Sequence, residues 1–151
     1  MKRIFFALFV VASACSDQPD ETTRKDGFTP VLKNKEDSLY HDVMKGHDIG
    51  MAKMSALRKH ITKVQQELDS LNKLSKARVD ARYRQTLVDL NEDLTYADNA
   101  MFTWMDEFEV DSARDNKTQR LAYLESEKVK VEKVRDHILN ALQRADSLFK
   151  K

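Results

Sequence analysis

The sequence predicts an all-α protein: an antiparallel up-down-up bundle of three long helices with coiled-coil-like packing. Two features of the 151-residue chain predict this class. Charged residues make up 34% of it and only three glycines and two prolines occur, a composition typical of long, solvent-exposed helices. Apolar side chains also recur at intervals of three and four residues over long stretches, which is the spacing of a helix seam.

The first fourteen residues are predicted to be a lipoprotein signal peptide. Lys2 and Arg3 precede an apolar stretch at 4–11 that is too short to span a bilayer, and small residues follow it. The segment that ends in Cys15, the only cysteine, resembles a bacterial lipobox, whose cysteine becomes the lipidated first residue of the mature protein. We therefore expect lipidation at Cys15 and a place in the outer membrane, facing either the periplasm or the cell surface.

Residues 15–35 follow as the lipidated cysteine and a predicted flexible tether. They contain both prolines and show no apolar periodicity. Because Lys2 and Arg3 leave with the signal peptide, the mature chain is close to neutral. We expect acyl chains, and not basic side chains, to hold it at the membrane. The near-neutral charge also gives no reason to expect nucleic-acid binding.

The bundle domain covers residues 36–151, and its first helix is predicted at about 36–75. Asp37 or Ser38 is expected to cap the start of this helix. Gly46 and Gly50 lie on one helix face, so they either admit a neighbouring backbone or are simply tolerated by the packing; we favour tolerance. The predicted apolar stripe consists of Tyr40, Met44, His47, Met51, Met54, Leu57, Ile61, Val64, Leu68 and Leu71.

Two further helices are predicted at about 79–110 and 113–150, after short turns. In the last helix, Lys128 interrupts the seam, and the pair Glu127–Lys130 is predicted to lie on an exposed face. The stripe of the second helix consists of Tyr83, Leu87, Leu90, Leu94, Ala97, Met101, Trp104 and Phe108. That of the third consists of Leu121, Leu124, Val131, Val134, Ile138, Leu142, Ala145 and Leu148.

Antiparallel packing about a turn near Ala77 predicts which residues meet. Met54 would lie near Met101, Met51 near Trp104, and His47 near residues 105–108. One end of the bundle would then collect methionine, histidine and aromatic side chains: Met44, His47, Met51, Met54, Met101, Met105, Trp104 and Phe108. Asp98 shares this face through its spacing from Met101 and Met105.

This end of the bundle has three interpretations. Thioethers and imidazole suit copper(I), which makes His47, Met44, Met51, Met54, Met101 and Met105 candidate ligands of a soft metal. Alternatively, flexible thioethers fill irregular core space against aromatic rings, and His47 is hydrogen-bonded to Asp106 or Glu107. In the third interpretation, Trp104, Phe108 and Asp98 belong to a surface for a partner or ligand. We favour the packed core and expect no cofactor, with copper as the alternative.

The sequence contains none of the patterns that would indicate an enzyme. A glycine-rich phosphate loop, a zinc-protease pattern and the Glu-x-x-His motif of di-iron bundles are all missing from it. We expect a non-enzymatic interaction or scaffold module that binds another protein. The alternatives are a copper or other soft-metal binding protein of the envelope and, more weakly, an envelope chaperone with a Met-rich groove.

Three stretches, at 41–54, 94–108 and 124–134, resemble a group of small helical envelope lipoproteins of the Bacteroidota. Some members of that group carry the label "viral A-type inclusion protein". The specific parts are the Met/His stretch at 41–54 and the run Ala-Met-x-x-Trp-Met that begins at Ala100. The resemblance implies a cell-envelope lipoprotein and brings no activity with it. Asp111-Ser112-Ala113 is similar to the O-glycosylation sites of exported proteins of the same phylum, which makes Ser112 a candidate modification site.

Overall fold

The computed structural model describes residues 31–74 and 79–150, and within them the chain is all-α, as predicted. The helices are α1 (Lys35–Met51), α2 (Met54–Asn72), α3 (Ala81–Glu107) and α4 (Lys117–Phe149). The described part contains no strand and no helix long and apolar enough to span a membrane. The predicted signal peptide, Cys15 and most of the predicted tether lie outside the described residues.

Three of the helices begin at a side-chain cap. The Asn34 side-chain oxygen accepts a hydrogen bond from the backbone N–H of Asp37 at 3.0 Å. Asp80 caps α3 and Asn116 caps α4 in the same way. The prediction that Asp37 or Ser38 caps the first helix is wrong, because the helix starts earlier and Asn34 supplies the acceptor.

The stretch predicted as one helix at 36–75 is divided into α1 and α2. A tight turn separates them at Ala52–Lys53, where the Lys53 N–H bonds to the Gly50 carbonyl at 2.9 Å, three residues back. A glycine beside such a turn fits the low helix propensity of this residue type. The direction of the chain is nearly kept, since Ala52 and Lys53 both retain right-handed helical backbone angles.

The last helix begins at Lys117, later than the predicted 113. Residues 110–115 form turns, and Ala113 has a φ of 57°, a left-handed conformation that cannot continue a right-handed helix. Asn116 then provides the cap for α4. The turn residues therefore belong to the connection between α3 and α4.

Side chains from all four helices meet in one continuous core. Its members follow the predicted seams of α2 and α3 closely, with Leu57 and Val64 of α2 fully buried. In α4, Arg120 and Ala141 are buried, whereas Leu121 and Leu142, which the sequence predicts for the seam, are only half-buried. The buried apolar residues are Val43, Met54, Leu57, Val64, Leu87, Leu90, Leu94, Ala97, Met101, Trp104, Leu124, Val131, Ile138, Ala141 and Ala145. At about 25 cal/mol per Å² of apolar area, this burial is the main stabilising contribution to the fold.

In α1 the buried face differs from the predicted stripe by one position. Val43, Gly46 and Gly50 are buried, whereas His47 and Met51, predicted for the seam, are only half-buried. Glycine carries no hydropathy signal, so the sequence pattern favours the neighbouring methionines and histidine for the stripe. The observed seam at 43, 46, 50, 54 and 57 keeps helical spacing.

The two glycines of α1 are sites of close packing against α4. A Cβ placed on Gly46 would lie 2.9 Å from Val131 Cγ1, which is closer than two carbons can pack. A Cβ on Gly50 would collide with the Met101 methyl group and lie 3.3 Å from Ile138 Cδ1. The interpretation that the packing merely tolerates the glycines is therefore wrong for Gly46, where the stiff Val131 side chain leaves no room for a Cβ. At Gly50 the nearest atom is the end of the flexible Met101 side chain, which can move.

Replacing Gly46 by alanine should destabilise the fold by about 1 kcal/mol. The substitution gains about 1 kcal/mol of helix propensity but costs about 1–3 kcal/mol by overpacking against the stiff Val131 side chain. In a Val131→Ala background the space is open, and the same Gly46→Ala change should stabilise by about 1 kcal/mol. Urea unfolding followed by circular dichroism measures both effects. A stabilising effect of Gly46→Ala in both backgrounds would contradict the close packing.

Candidate functional site

Aromatic rings from α1, α3 and α4 meet at one end of the bundle. The Trp104 ring stacks on Phe108 with centroids 4.9 Å apart, and Phe108 in turn stacks on Tyr123 at 6.2 Å. From α1, Tyr40 lies 6.5 Å from Phe108, and the His47 ring lies 5.9 Å from Trp104. We call these five residues the aromatic end.

A buried carboxylate lies directly beneath the aromatic end. Glu127 is only 2% exposed, and its Oε2 accepts a hydrogen bond of 2.9 Å from the Trp104 indole N–H. Its other oxygen, Oε1, accepts a bond of 2.7 Å from Lys130 Nζ. This hydrogen bond raises the pKa of Lys130 above its usual value. Both oxygens are satisfied, as a buried charge requires.

A second buried charge, that of Arg120, connects helices at the same end of the bundle. The Arg120 side chain is almost fully buried; its Nε donates to Glu36 at 3.0 Å and its Nη1 donates to the Ser112 carbonyl at 3.0 Å. The guanidinium thus joins α4 to α1 and to the connection that precedes α4. A planar group with several donors is suited to such a three-way contact.

The prediction that the pair Glu127–Lys130 lies on an exposed face is wrong for Glu127. Leu124, Glu127 and Val131 are the successive buried positions of α4, so Glu127 occupies the seam and Lys128 flanks it. Lys128 Nζ instead pairs with Asp42 of α1 at 2.5 Å, and this hydrogen bond raises the pKa of Lys128. A charged residue usually occupies an exposed position. Glu127 can be buried because its carboxylate accepts a hydrogen bond from the Trp104 N–H.

The structure distributes the five candidate methionines between core and surface. Met54 and Met101 are buried, and the Met101 methyl group packs against Gly50. Met44 and Met51 are half-buried on the side of α1 that carries His47, and Met105 of α3 is 39% exposed. Two of the candidate thioethers therefore serve as core packing, and three reach the surface.

The His47 side chain forms a hydrogen bond with the next residue, Asp48. Its Nδ1 lies 2.9 Å from Asp48 Oδ1, so the predicted hydrogen bond to Asp106 or Glu107 is not the one formed. The ring packs on Trp104, with centroids 5.9 Å apart, and not opposite residues 105–108 as the sequence predicts. Among residues 31–74 and 79–150, no three His, Cys, Asp or Glu side chains are grouped so as to hold a metal ion.

The remaining candidate residues have structural partners of their own. Asp98 forms a 2.9 Å ion pair with Arg58 of α2, whose guanidinium lies over the Phe102 ring at 5.1 Å. Ser112 is half-buried in the α3–α4 connection, where its carbonyl accepts the Arg120 hydrogen bond. Cys15 lies outside the described residues.

Half-exposed apolar side chains continue from the aromatic end along the boundary between α1 and α3. Four of them are partly covered, and Met105 is exposed. Helical spacing puts three of them on the α1 side facing α3, beside the buried face. We call this set the α1/α3 strip: Met44, His47, Met51, Met105 and Phe108.

The strip offers contact area and little reactive chemistry. Its side chains are thioethers and rings, with one imidazole whose Nδ1 already has a partner in Asp48. Flexible thioethers adapt their shape to different apolar surfaces, a property common at protein-binding sites. The arrangement is suited to packing against another apolar surface.

No protein-family model, no curated protein and no solved structure matches this chain. The resemblance to small envelope lipoproteins of the Bacteroidota stays a prediction from three sequence stretches. We therefore infer the function from the contacts that this chain's own residues make.

Loss of the buried carboxylate should destabilise the fold far more than loss of an exposed one. Glu127→Ala leaves the buried Trp104 N–H without an acceptor, so we expect a loss of about 1.5–3 kcal/mol in the free energy of unfolding. Glu125, on the same helix and half-exposed beside Lys35, is the matched control, and Glu125→Ala should cost under about 0.5 kcal/mol. Urea unfolding measures both, and equal costs would contradict the role of Glu127.

The free energy of unfolding should fall at alkaline pH. Burial raises the pKa of Tyr83 and of Tyr123 above the usual 10.0, and hydrogen bonds to carboxylates raise those of Lys128 and Lys130 above 10.5. The folded chain thus binds these protons more tightly than the unfolded chain does. Their stabilisation is complete below about pH 10 and is lost as the pH rises through the raised pKa values.

Urea unfolding at several pH values between about 9 and 11.5 tests this dependence. Asp42→Asn removes the carboxylate that raises the pKa of Lys128. The free energy of unfolding of this variant should therefore decline less steeply with pH than that of the wild type. A wild-type stability that stays constant or rises over this range would contradict the assignment.

Proposed function

We propose that this protein is a non-enzymatic interaction or scaffold module of the cell envelope, held at the outer membrane by a lipid on Cys15. The observation that carries the proposal is the α1/α3 strip, a set of half-exposed Met, His and Phe side chains beside the buried core. Apolar surface that a fold leaves partly open is typical of protein-binding sites. The chemistry of the strip favours contact over catalysis.

The finer arrangement that we propose for the bundle is antiparallel, up-down-up, with coiled-coil-like seams. Residues early in α1 pair with residues early in α4, as Glu36 does with Arg120 and Asp42 with Lys128. Late residues of α3 meet early residues of α4, as Trp104 does with Glu127. These pairings support α1 and α4 running in one direction and α3 in the other.

The proposed location in the cell envelope rests on the N-terminal sequence. The basic pair, the short apolar stretch and the small residues before Cys15 support export and lipidation. The resemblance of 41–54 and 94–108 to small envelope lipoproteins of the Bacteroidota supports the same location. In this proposal the tether holds the bundle away from the membrane, so that the strip is free to meet a partner.

Copper binding is the second candidate, favoured by the three surface thioethers Met44, Met51 and Met105 beside His47. Against it, Met54 and Met101 serve as core packing and His47 Nδ1 is held by Asp48. Copper(I) needs several soft ligands that converge on one point. We therefore favour the interaction module.

Photo-crosslinking in the native host tests the interaction function directly. A photoreactive amino acid replaces Met105 in the full-length protein, and we expect a discrete protein adduct identified by mass spectrometry. Val129 of α4 is the matched control because it is also exposed, at 51%, outside the strip. We expect no discrete adduct from that position.

The absence of adducts from Met105 would count against the interaction module. In parallel, the purified mature protein is titrated with copper(I) against a competing chelator, beside a Met51→Ala variant. Stoichiometric uptake that Met51→Ala abolishes would establish the metal-binding alternative instead.

A further inference from the structure

We infer that the α1/α3 strip binds a basic amphipathic helix of a partner protein. The inference rests on the proposed interaction function and names the chemical class of the partner. An apolar stripe on that helix would pack on Met44, Met51, Met105 and Phe108. Its flanking Lys and Arg side chains would meet the carboxylates that border the strip.

The dimensions of the strip fit one helix. Side chains span the boundary between α1 and α3, with the Tyr40 and Phe108 rings 6.5 Å apart and the His47 and Trp104 rings 5.9 Å apart. From residue 44 to residue 51 the α1 side of the strip is about 10 Å long at 1.5 Å per residue, or about two helical turns. An amphipathic helix presents apolar anchors at i, i+3, i+4 and i+7 over that length.

Three carboxylates beside the strip have no salt-bridge partner among Lys and Arg. Asp48 of α1 has a side chain that is 72% exposed, and Asp106 near the end of α3 and Glu109 just after it are also exposed. Within the described part of the chain, none of the three forms a salt bridge with Lys or Arg.

The dipole of α3 adds to the negative charge at this end of the helix. The C-terminal end of a helix carries partial negative charge and is normally complemented by Lys, Arg or His. The last turn of α3 has no basic residue, and Asp106 and Glu107 lie there. Carboxylates at this end repel the helix dipole, so a cationic partner would relieve an unfavourable interaction and gain affinity from it.

The same charges argue against other occupants. A second copy of the chain would present the same acidic borders, and anionic lipid would be repelled. A neutral apolar helix would leave the carboxylates without a partner. The methionines add adaptability to the apolar part, which suits a helix whose side chains vary in shape.

Two synthetic peptides of about 18 residues test the inference. Both carry one leucine stripe; in the first the flanks are lysine, and in the second they are glutamate. Each is titrated into the full mature chain with Cys15→Ser, which removes the lipid and its micelle. Trp104 is the only tryptophan, and it lies in the aromatic end, so its fluorescence reports binding without a label. We expect the lysine peptide to bind at least about tenfold more tightly than the glutamate peptide.

Three variants locate the binding. Asp106→Lys with Glu109→Lys should weaken the lysine peptide about tenfold and strengthen the glutamate peptide. Met105→Glu should weaken the lysine peptide by at least about tenfold, because it puts a charge into the apolar contact. Val129→Glu is the matched control at an exposed apolar position on α4, and it should change Kd less than about twofold.

Equal affinity for the two peptides, or an equal effect of Met105→Glu and Val129→Glu, would overturn the inference. Self-association of the chain through the strip, seen by sedimentation, would also overturn it. The in-cell crosslinks separate the two proposals. Adducts from position 105 to a partner segment that is not a basic helix would leave the interaction function standing and reject this inference, whereas no adducts would reject both.

Discussion

The approach of α1 to α4 at Gly46 and Gly50 is the constraint on which the rest of this end of the bundle depends. With hydrogen in place of a side chain, the glycines let Val131 and Ile138 pack on the α1 backbone. α1 packs mainly on α4, and it meets the end of α3 through side-chain contacts such as His47 with Trp104 and Tyr40 with Phe108. These side chains belong to the aromatic end, from which the α1/α3 strip continues.

Two buried charges hold the helices in register around that contact. Glu127 links α4 to α3 through the Trp104 N–H, and Arg120 links α4 to Glu36 of α1 and to the connection before it. A satisfied buried charge adds little net stability compared with an apolar side chain, but a shifted register would leave it unpaired. We therefore interpret both as residues that specify the arrangement of the helices.

The sequence predicted the helical class and the seams of α2 and α3 well, because those segments carry regular Leu, Ile and Val spacing. It failed where residue type and environment disagree. Gly46 has no hydropathy signal, and Glu127 is charged, yet both are buried. The methionine-rich end could be identified from sequence, but its division into buried Met101 and exposed Met105 could not, because both residues lie on one broad apolar face of α3 and their burial depends on how the neighbouring helices cover it.

The packing of α1 on α4 and α3 leaves one set of methionines accessible to solvent and another buried. Methyl NMR of the labelled methionines with a soluble paramagnetic gadolinium chelate measures this directly, since relaxation reports the approach of solvent to each methyl group. We predict strong relaxation enhancement at Met105, intermediate enhancement at Met44 and Met51, and little at Met54 and Met101. Uniform protection of all five methyl groups, or enhancement at Met101 as strong as at Met105, would contradict the account.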